Sequence, residues 1–160
     1  MSAPRTVLLG VGNILLSDEG VGVRLMERLQ AAGLPPWVRP IDGGTCAMEM
    51  LEDLENLDLL VIADCVRSGR PPGSVVVLAG AAVPAFFRTR LSPHQVGLSD
   101  VLATLQLTGR APAQVVVVGV EPASMALGLE LTPTVAAALP EAEAALWRAL
   151  NLAPPAREAA

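Results

Sequence analysis

The sequence predicts an α/β fold, a three-layer α/β/α sandwich around a central, mostly parallel sheet, and three observations predict it. The runs VLLGV, LLVIA and VVVVGV are apolar at successive rather than alternate positions, the pattern of strands covered on both faces. Segments with helical spacing lie between these runs, the order in which crossover helices wind a parallel sheet. The core must also be aliphatic, because 52% of the 160 residues are hydrophobic while the chain holds only two Trp, two Phe and no Tyr.

Taken in order, residues 6–9 read as the first strand. Residues 21–32 read as a helix whose positions Val21, Val23, Leu25, Met26 and Leu29 favour one face, stopped at Gly33. Residues 38–41 read as a second strand ending in the turn Asp42-Gly43-Gly44-Thr45, with a helix expected over 47–56. Residues 57–63 are nearly all apolar and read as a central strand ending in Asp64. A polar turn over 68–73 leads to a strand at 74–79 and then a loop over 80–95, which carries Phe86, Phe87, Arg88, Arg90 and the only histidine, His94. Helical spacing returns at 98–107, with Gly109 past its end, and 114–120 reads as the last strand. Thr132 reads as an N-cap with Pro133 behind it, opening a helix toward Leu150 that Pro140 is expected to kink. Residues 1–152 are expected to form a single domain, and residues 153–160 a disordered tail.

Charge and composition exclude several functions. A formal charge of −5, with scattered arginines and no aromatic platform, argues against a nucleic-acid partner. No apolar run is long enough to span a bilayer and the start lacks the pattern of a secretory signal, so a cytoplasmic protein without membrane insertion is expected. Two cysteines, Cys46 and Cys65, are too few for a disulfide framework and suit a reducing compartment. The first turn, VGNILLSDEG, resembles a nucleotide loop but fails as one. After Gly10 and Gly12 the third glycine of a dinucleotide fingerprint would fall on Leu15, and a Walker lysine is impossible because all eleven basic residues are arginine.

What remains is a set of side chains at predicted strand ends, where open α/β sheets hold their ligands. Glu19 follows the first strand, Asp42 ends the second, Asp64 ends the central one, and His94 lies in the loop after the fourth. Brought together, carboxylates and one imidazole make a mixed oxygen and nitrogen site suited to a divalent metal. Each also has a plainer reading. Glu19 suits a helix start through the macrodipole, Asp42 and Asp64 suit turns, and a lone histidine is commonly a surface residue. A second chemistry, Cys46 as a nucleophile near a helix start with His94 as its base, has nothing in the sequence to orient the pair. Phe86 and Phe87, flanked by Arg88 and Arg90, read either as anchors for a partner protein or as plugs beneath a long loop.

Six blocks in register, GVGNILLSDEGVGVRLMERL, IDGGTCAMEMLEDL, LLVIADCV, PPGSVVVL, LSPHQVGLSDVLATL and GLELTPTV, resemble the hydrogenase maturation endopeptidases from about Val7 to Leu150. The resemblance implies an α/β protease that removes a C-terminal extension from the large-subunit precursor of a nickel-iron hydrogenase after nickel insertion. It places the family's metal-contacting residues on Glu19, Asp64 and His94. Asp42, in the DGGT block, matches a residue that matters for function, and the catalytic set implied is Glu19, Asp64 and Asp42. The nickel is expected to be carried by the precursor, where it serves as a recognition signal and a possible Lewis acid. Ligation by His94 needs neutral imidazole, so activity is expected to fall as pH drops toward about 6.5. The alternative from another class is a non-catalytic metal-binding or precursor-binding maturation chaperone on the same sheet.

Overall fold

A computed structural model describes residues 3–45, 48–87 and 93–155, the side chains of residues 93 and 94 excepted. Strands β1 (Thr6–Val11), β2 (Val38–Gly44), β3 (Leu59–Cys65), β4 (Val75–Ala79) and β5 (Gln114–Val120) form one sheet in the order β2-β1-β3-β5-β4. β1 runs parallel to β2 and β3, and β3 parallel to β5, while β4 closes one edge antiparallel to β5. All six residues of β1 and all seven of β3 are buried, as their unbroken apolar runs require.

Two aliphatic layers cover the sheet. On one face, helices α1 (Val21–Gly33) and α5 (Pro133–Ala149) pack Leu25, Leu29, Leu139 and Leu146 against Leu8, Val61 and Val118. On the other face, α4 (Pro93–Leu107) packs Leu98, Val101 and Leu105 against Leu9, Leu60 and Ile62, joined by Leu54 of the short α2 (Leu51–Leu54) and Val83 of the short α3 (Ala82–Phe86). This is the expected three-layer α/β/α sandwich.

Several bounds differ from the sequence reading, each for a local reason. The helix expected over 47–56 is reduced to a 3₁₀ turn, Met48–Met50, and the single turn of α2, which ends where Glu55 turns extended and Asn56 takes a left-handed conformation (φ 56°). The long loop expected over 80–95 is partly helical, because it contains α3 and the first turn of α4. Periodicity from Leu98 onward missed that start, since His94, Gln95 and Gly97 interrupt the apolar pattern and Pro93, tolerated in a first helical turn, reads as a breaker. The helix after Thr132 runs through Pro140 to Ala149 as one element, with the Thr132 side chain accepting from the Val135 N–H as the predicted cap. Of the expected tail, residues 153–155 carry no regular structure and 156–160 lie outside the described residues.

Sheet order positions the site. From β1 the chain winds outward to β2, then crosses back to β3 on the other side of β1, so the winding reverses between β1 and β3. The carboxyl ends of those two strands therefore flank the crevice in which doubly wound folds hold ligands.

Candidate active site

Glu19 reaches that crevice through a tight connection. β1 ends at Val11, and Gly12 takes φ 125°, a conformation that L side chains rarely adopt. A side chain at Gly12 would also strike the Glu19 carbonyl, 2.0 Å from the position of its Cβ, so this glycine lets the turn fold back on itself. The chain then forms a 3₁₀ turn, Ser17–Gly20, that leads directly into α1. Glu19 sits in this turn and is 8% exposed. Its position before α1 also suits the positive end of the helix dipole, so the plainer reading and the functional one coincide here.

Asp64 is the penultimate residue of β3, opposite Gly119 of β5, and is 1% exposed. Strand alternation places it on the face of Ile62, the side covered by α4. Its Oδ1 accepts from the Cys65 N–H at 2.7 Å, and its Oδ2 accepts from Nε2 of Gln95 at 2.7 Å. The same Nε2 donates to the Cys65 carbonyl at 3.1 Å. Gln95 belongs to the first turn of α4, one residue after His94, so this contact fastens the turn that carries the histidine to the end of β3. The His94 side chain lies outside the described residues. Sequence reasoning gave Gln95 no role, because a buried amide next to a histidine carries no spacing signal.

Asp42 is placed differently. It lies inside β2, paired with Gly10, and is exposed, with Oδ1 accepting from the Gly44 N–H at 2.9 Å in the Asx-type turn that its Gly-Gly neighbours suggest. Gly10 also pairs with Ala63, so Asp42 and Asp64 project from opposite faces of the sheet with β1 between them. The fold thus brings Glu19 and Asp64 to the switch point and leaves Asp42 on the neighbouring strand.

Asp18, which the sequence left without an assignment, is fully buried and carries four hydrogen bonds. Its Oδ2 accepts from the N–H groups of Ala123 and Ser124 and from the Thr132 hydroxyl, and its Oδ1 accepts from the Thr132 N–H, at 2.8 to 3.0 Å. Main-chain bonds from Ser17 N to Gly128 O and from Gly128 N to Leu15 O, each 2.8 Å, join the same two segments. One carboxylate of the adjacent acidic pair thus locks the turn after β1 to the loop after β5, and its neighbour Glu19 is held in place by that lock. Glu121, also buried, accepts at Oε2 from the Ser68 N–H and hydroxyl, fixing the exit from β3.

The electrostatics of this end of the sheet show in Cys65. Burial, and then the charges of Asp64, Glu19 and Asp18, push its thiol well above the ordinary value, and Arg67 offsets only part of this. Burial, reinforced by the nearby carboxylates, keeps Cys65 in its thiol form, so Cys65 is no thiolate nucleophile. Its sulfur instead rests 4.0 Å from that of Met125, on the face covered by α1 and α5. Cys46, the other cysteine considered as a nucleophile, lies outside the described residues.

A cavity of about 1090 Å³ opens at the opposite end of the sheet beside β4. Among the described residues Arg148 is the only charged one lining it, and they form no titratable cluster there of the kind chemistry needs. A smaller cavity of about 310 Å³, lined by Arg67, Glu121, Ser124 and Met125, adjoins the carboxyl ends of β3 and β5. Phe87 is buried and Phe86 packs against the same core, with the rings edge to face at 5.3 Å, so the phenylalanines plug the layer beneath α4 and do not project as anchors. Arg88 and Arg90 lie outside the described residues.

A family model described as hydrogenase maturation protease matches residues 23–149. The chain belongs to the hydrogenase maturation proteases. This endopeptidase is 49% identical over 135 residues to the hydrogenase 2 maturation protease of Escherichia coli (strain K12), a match that covers 83% of this chain and 82% of that protein. It is 41% identical over 135 residues to the hydrogenase expression/formation protein HupD of Rhodobacter capsulatus, covering 82% of this chain and 64% of that one. Its fold superimposes on the hydrogenase maturating endopeptidase HybD from E. coli with a TM-score of 0.88, 46% identity and 92% coverage of each chain. A hydrogenase 2 maturation peptidase from Thaumarchaeota archaeon SCGC_AB-539-E09 gives 0.72 at 31% identity, covering 93% of this chain and 99% of the other. No helix among the described residues is long and apolar enough to cross a membrane.

Proposed function

We propose that this endopeptidase removes the C-terminal extension of a nickel-iron hydrogenase large-subunit precursor after nickel has been inserted, and that Glu19, Asp64 and His94 read the nickel of the bound precursor. The observation that carries this is the pair of buried acidic side chains at the switch point, Glu19 from the turn after β1 and Asp64 from the end of β3. Family membership makes the protein a protease, and the fold leads two carboxylates to one crevice with the turn bearing His94 tied to Asp64 through Gln95.

Two carboxylates and one imidazole are a donor set that suits a divalent first-row metal such as nickel. In this reading the metal belongs to the substrate, and the protease supplies side chains that a precursor without nickel fails to engage. Glu19 and Asp64 are also the groups placed to take a proton from the water that attacks the scissile carbonyl, while the departing amine gains one. Asp42 is the outlying member of the set, and its contact with Gly44 suits a part in shaping the β2 turn at the edge of the crevice.

The deciding experiment mixes purified protease with purified precursor, with and without nickel, and follows shortening by intact mass. Cleavage of the nickel-loaded form alone is the expected result. Glu19→Gln, Asp64→Asn and His94→Ala should each remain folded and lose roughly a hundredfold or more in rate. Normal processing by all three variants would end the proposal, and a stable complex without shortening would favour the chaperone reading.

A further inference from the structure

Eight large apolar residues are exposed among the described residues, and six of them gather at one end of the sheet. Ile14 and Leu15 follow β1, Met48 follows β2, Val96 lies in the first turn of α4 beside Gln95, and Leu127 and Leu129 follow β5. This is the end that carries Glu19 and Asp64. The other two, Val77 on β4 and Leu107 at the far end of α4, stand apart.

The most exposed of the six are also held rigidly. Leu15 is 52% exposed, Leu127 84% and Leu129 63%. The segments that bear them are joined by a parallel bridge between Leu16 and Gly128, which sets Leu15 beside Leu127. The Ser17 hydroxyl donates to the Ala126 carbonyl at 2.7 Å, and Asp18 binds the segment on both sides through Ser124 and Thr132. These polar ties hold the two segments against each other with their leucines facing outward. Rigid apolar side chains next to a functional crevice mark an interaction surface, since soluble monomers rarely concentrate exposed apolar groups.

We infer that Ile14, Leu15, Leu127 and Leu129 form the docking ledge for the large-subunit precursor, receiving an apolar surface of that protein while its C-terminal segment enters the crevice beside it. The inference rests on the proposed substrate and deepens it. Its occupant follows from continuity: a protease must contact its protein substrate at the crevice, and the ledge extends directly from the turn that holds Glu19. The crevice holds Glu19 and Asp64, whereas the four ledge side chains are apolar and contribute area, with the Arg24 guanidinium at their edge against the Leu129 carbonyl. This is the division expected of a specific interface with an apolar centre and a polar rim.

The test measures the affinity of the purified, nickel-loaded precursor for the full-length protease and for the Leu127→Asp/Leu129→Asp variant, with cleavage followed in parallel. Both side chains are solvent-exposed, so the fold should survive, which far-UV dichroism checks. The ledge predicts binding at least about tenfold weaker, because a charge at each position must be desolvated on docking. Leu107→Asp, equally exposed but at the far end of α4, should bind as the unaltered protein does. Unchanged affinity in the double variant overturns the ledge, as does failure of the unaltered protein to bind the precursor. Binding without cleavage in the unaltered protein removes the proposed activity and leaves the ledge to be judged on affinity alone. A dimer of the protease in solution that the double substitution dissociates also overturns it, since the ledge would then serve a second copy of this chain.

Discussion

At the scale of single residues, neighbours in sequence take unrelated tasks. Asp18 and Glu19 are adjacent carboxylates in one 3₁₀ turn, yet the Asp18 side chain spends its four described hydrogen bonds on the loop after β5 while Glu19 lies at the crevice. The donors around Asp18 are four N–H or O–H groups that need an acceptor. Asp18→Asn replaces one carboxylate oxygen with a further donor and so leaves donors facing donors in a buried site. Denaturant unfolding should show a loss of about 2–4 kcal/mol, and a variant within 0.5 kcal/mol of the unaltered protein would rule out the lock. Nothing near Asp18 in sequence announces this, because its partners lie more than a hundred positions away. Cys65 offers a second check. Its thiol is held well above its ordinary 9.0 by burial and then by the carboxylates, so alkylation at pH 8 mapped by mass spectrometry should spare Cys65 in the native protein and modify it in denaturant. The sign for stability follows. A thiol whose pKa is raised on folding stabilises the protein fully below its unfolded pKa, and as pH climbs past about 9 the unfolded chain loses a proton that the folded one keeps, so stability falls.

At the scale of elements, the backbone sets where the carboxylates go. α1 lies so close to the sheet that a Cβ on Gly22 would sit 2.1 Å from the Ala63 carbonyl and 2.5 Å from that of Val11. Both obstacles are backbone, so neither can rotate away. Gly22→Ala must therefore lift the helix that follows the Glu19 turn. It should lose about 3 kcal/mol or more and impair processing, a result that thermal unfolding and the precursor assay read together. A Tm within a degree or two of the unaltered protein would mean that the helix tolerates displacement. The central strands and α1, α4 and α5 were legible in the sequence because each has either an unbroken apolar run or a sustained helical stripe. α3 was not, since five residues cannot display a 3.6-residue period, and for the same reason α2 was read as part of a longer helix over 47–56 than the four residues that form it. The contact from Gln95 to Asp64 was hidden for the same kind of reason. It depends on where the first turn of α4 begins, and the pattern of apolar residues does not mark that position.

At the scale of the whole molecule, the sheet is both a scaffold and a partition. Reading strands that end in acidic residues pointed to one end of the sheet, because a doubly wound order sends the strand ends that flank a reversal of winding to one side. It was not enough to separate Asp42 from Asp64, since the face on which a strand residue projects depends on register, and register is set by pairing rather than by local sequence. The same partition divides the core into two aliphatic layers that touch only through the strands. Ile62 projects into the layer beneath α4, and Leu146 of α5 into the layer on the opposite face. Both are fully buried, so Ile62→Val should cost about 0.5–1.5 kcal/mol and Leu146→Ala about 2–5 kcal/mol. With a sheet between them and no shared cavity, the two losses should add to within about 0.5 kcal/mol in the double variant, measured by denaturant unfolding with a common slope. A coupling above about 1 kcal/mol would show that strain passes through the central strands from one layer to the other. The crevice, built on the ends of those strands, would then respond to repacking on either face.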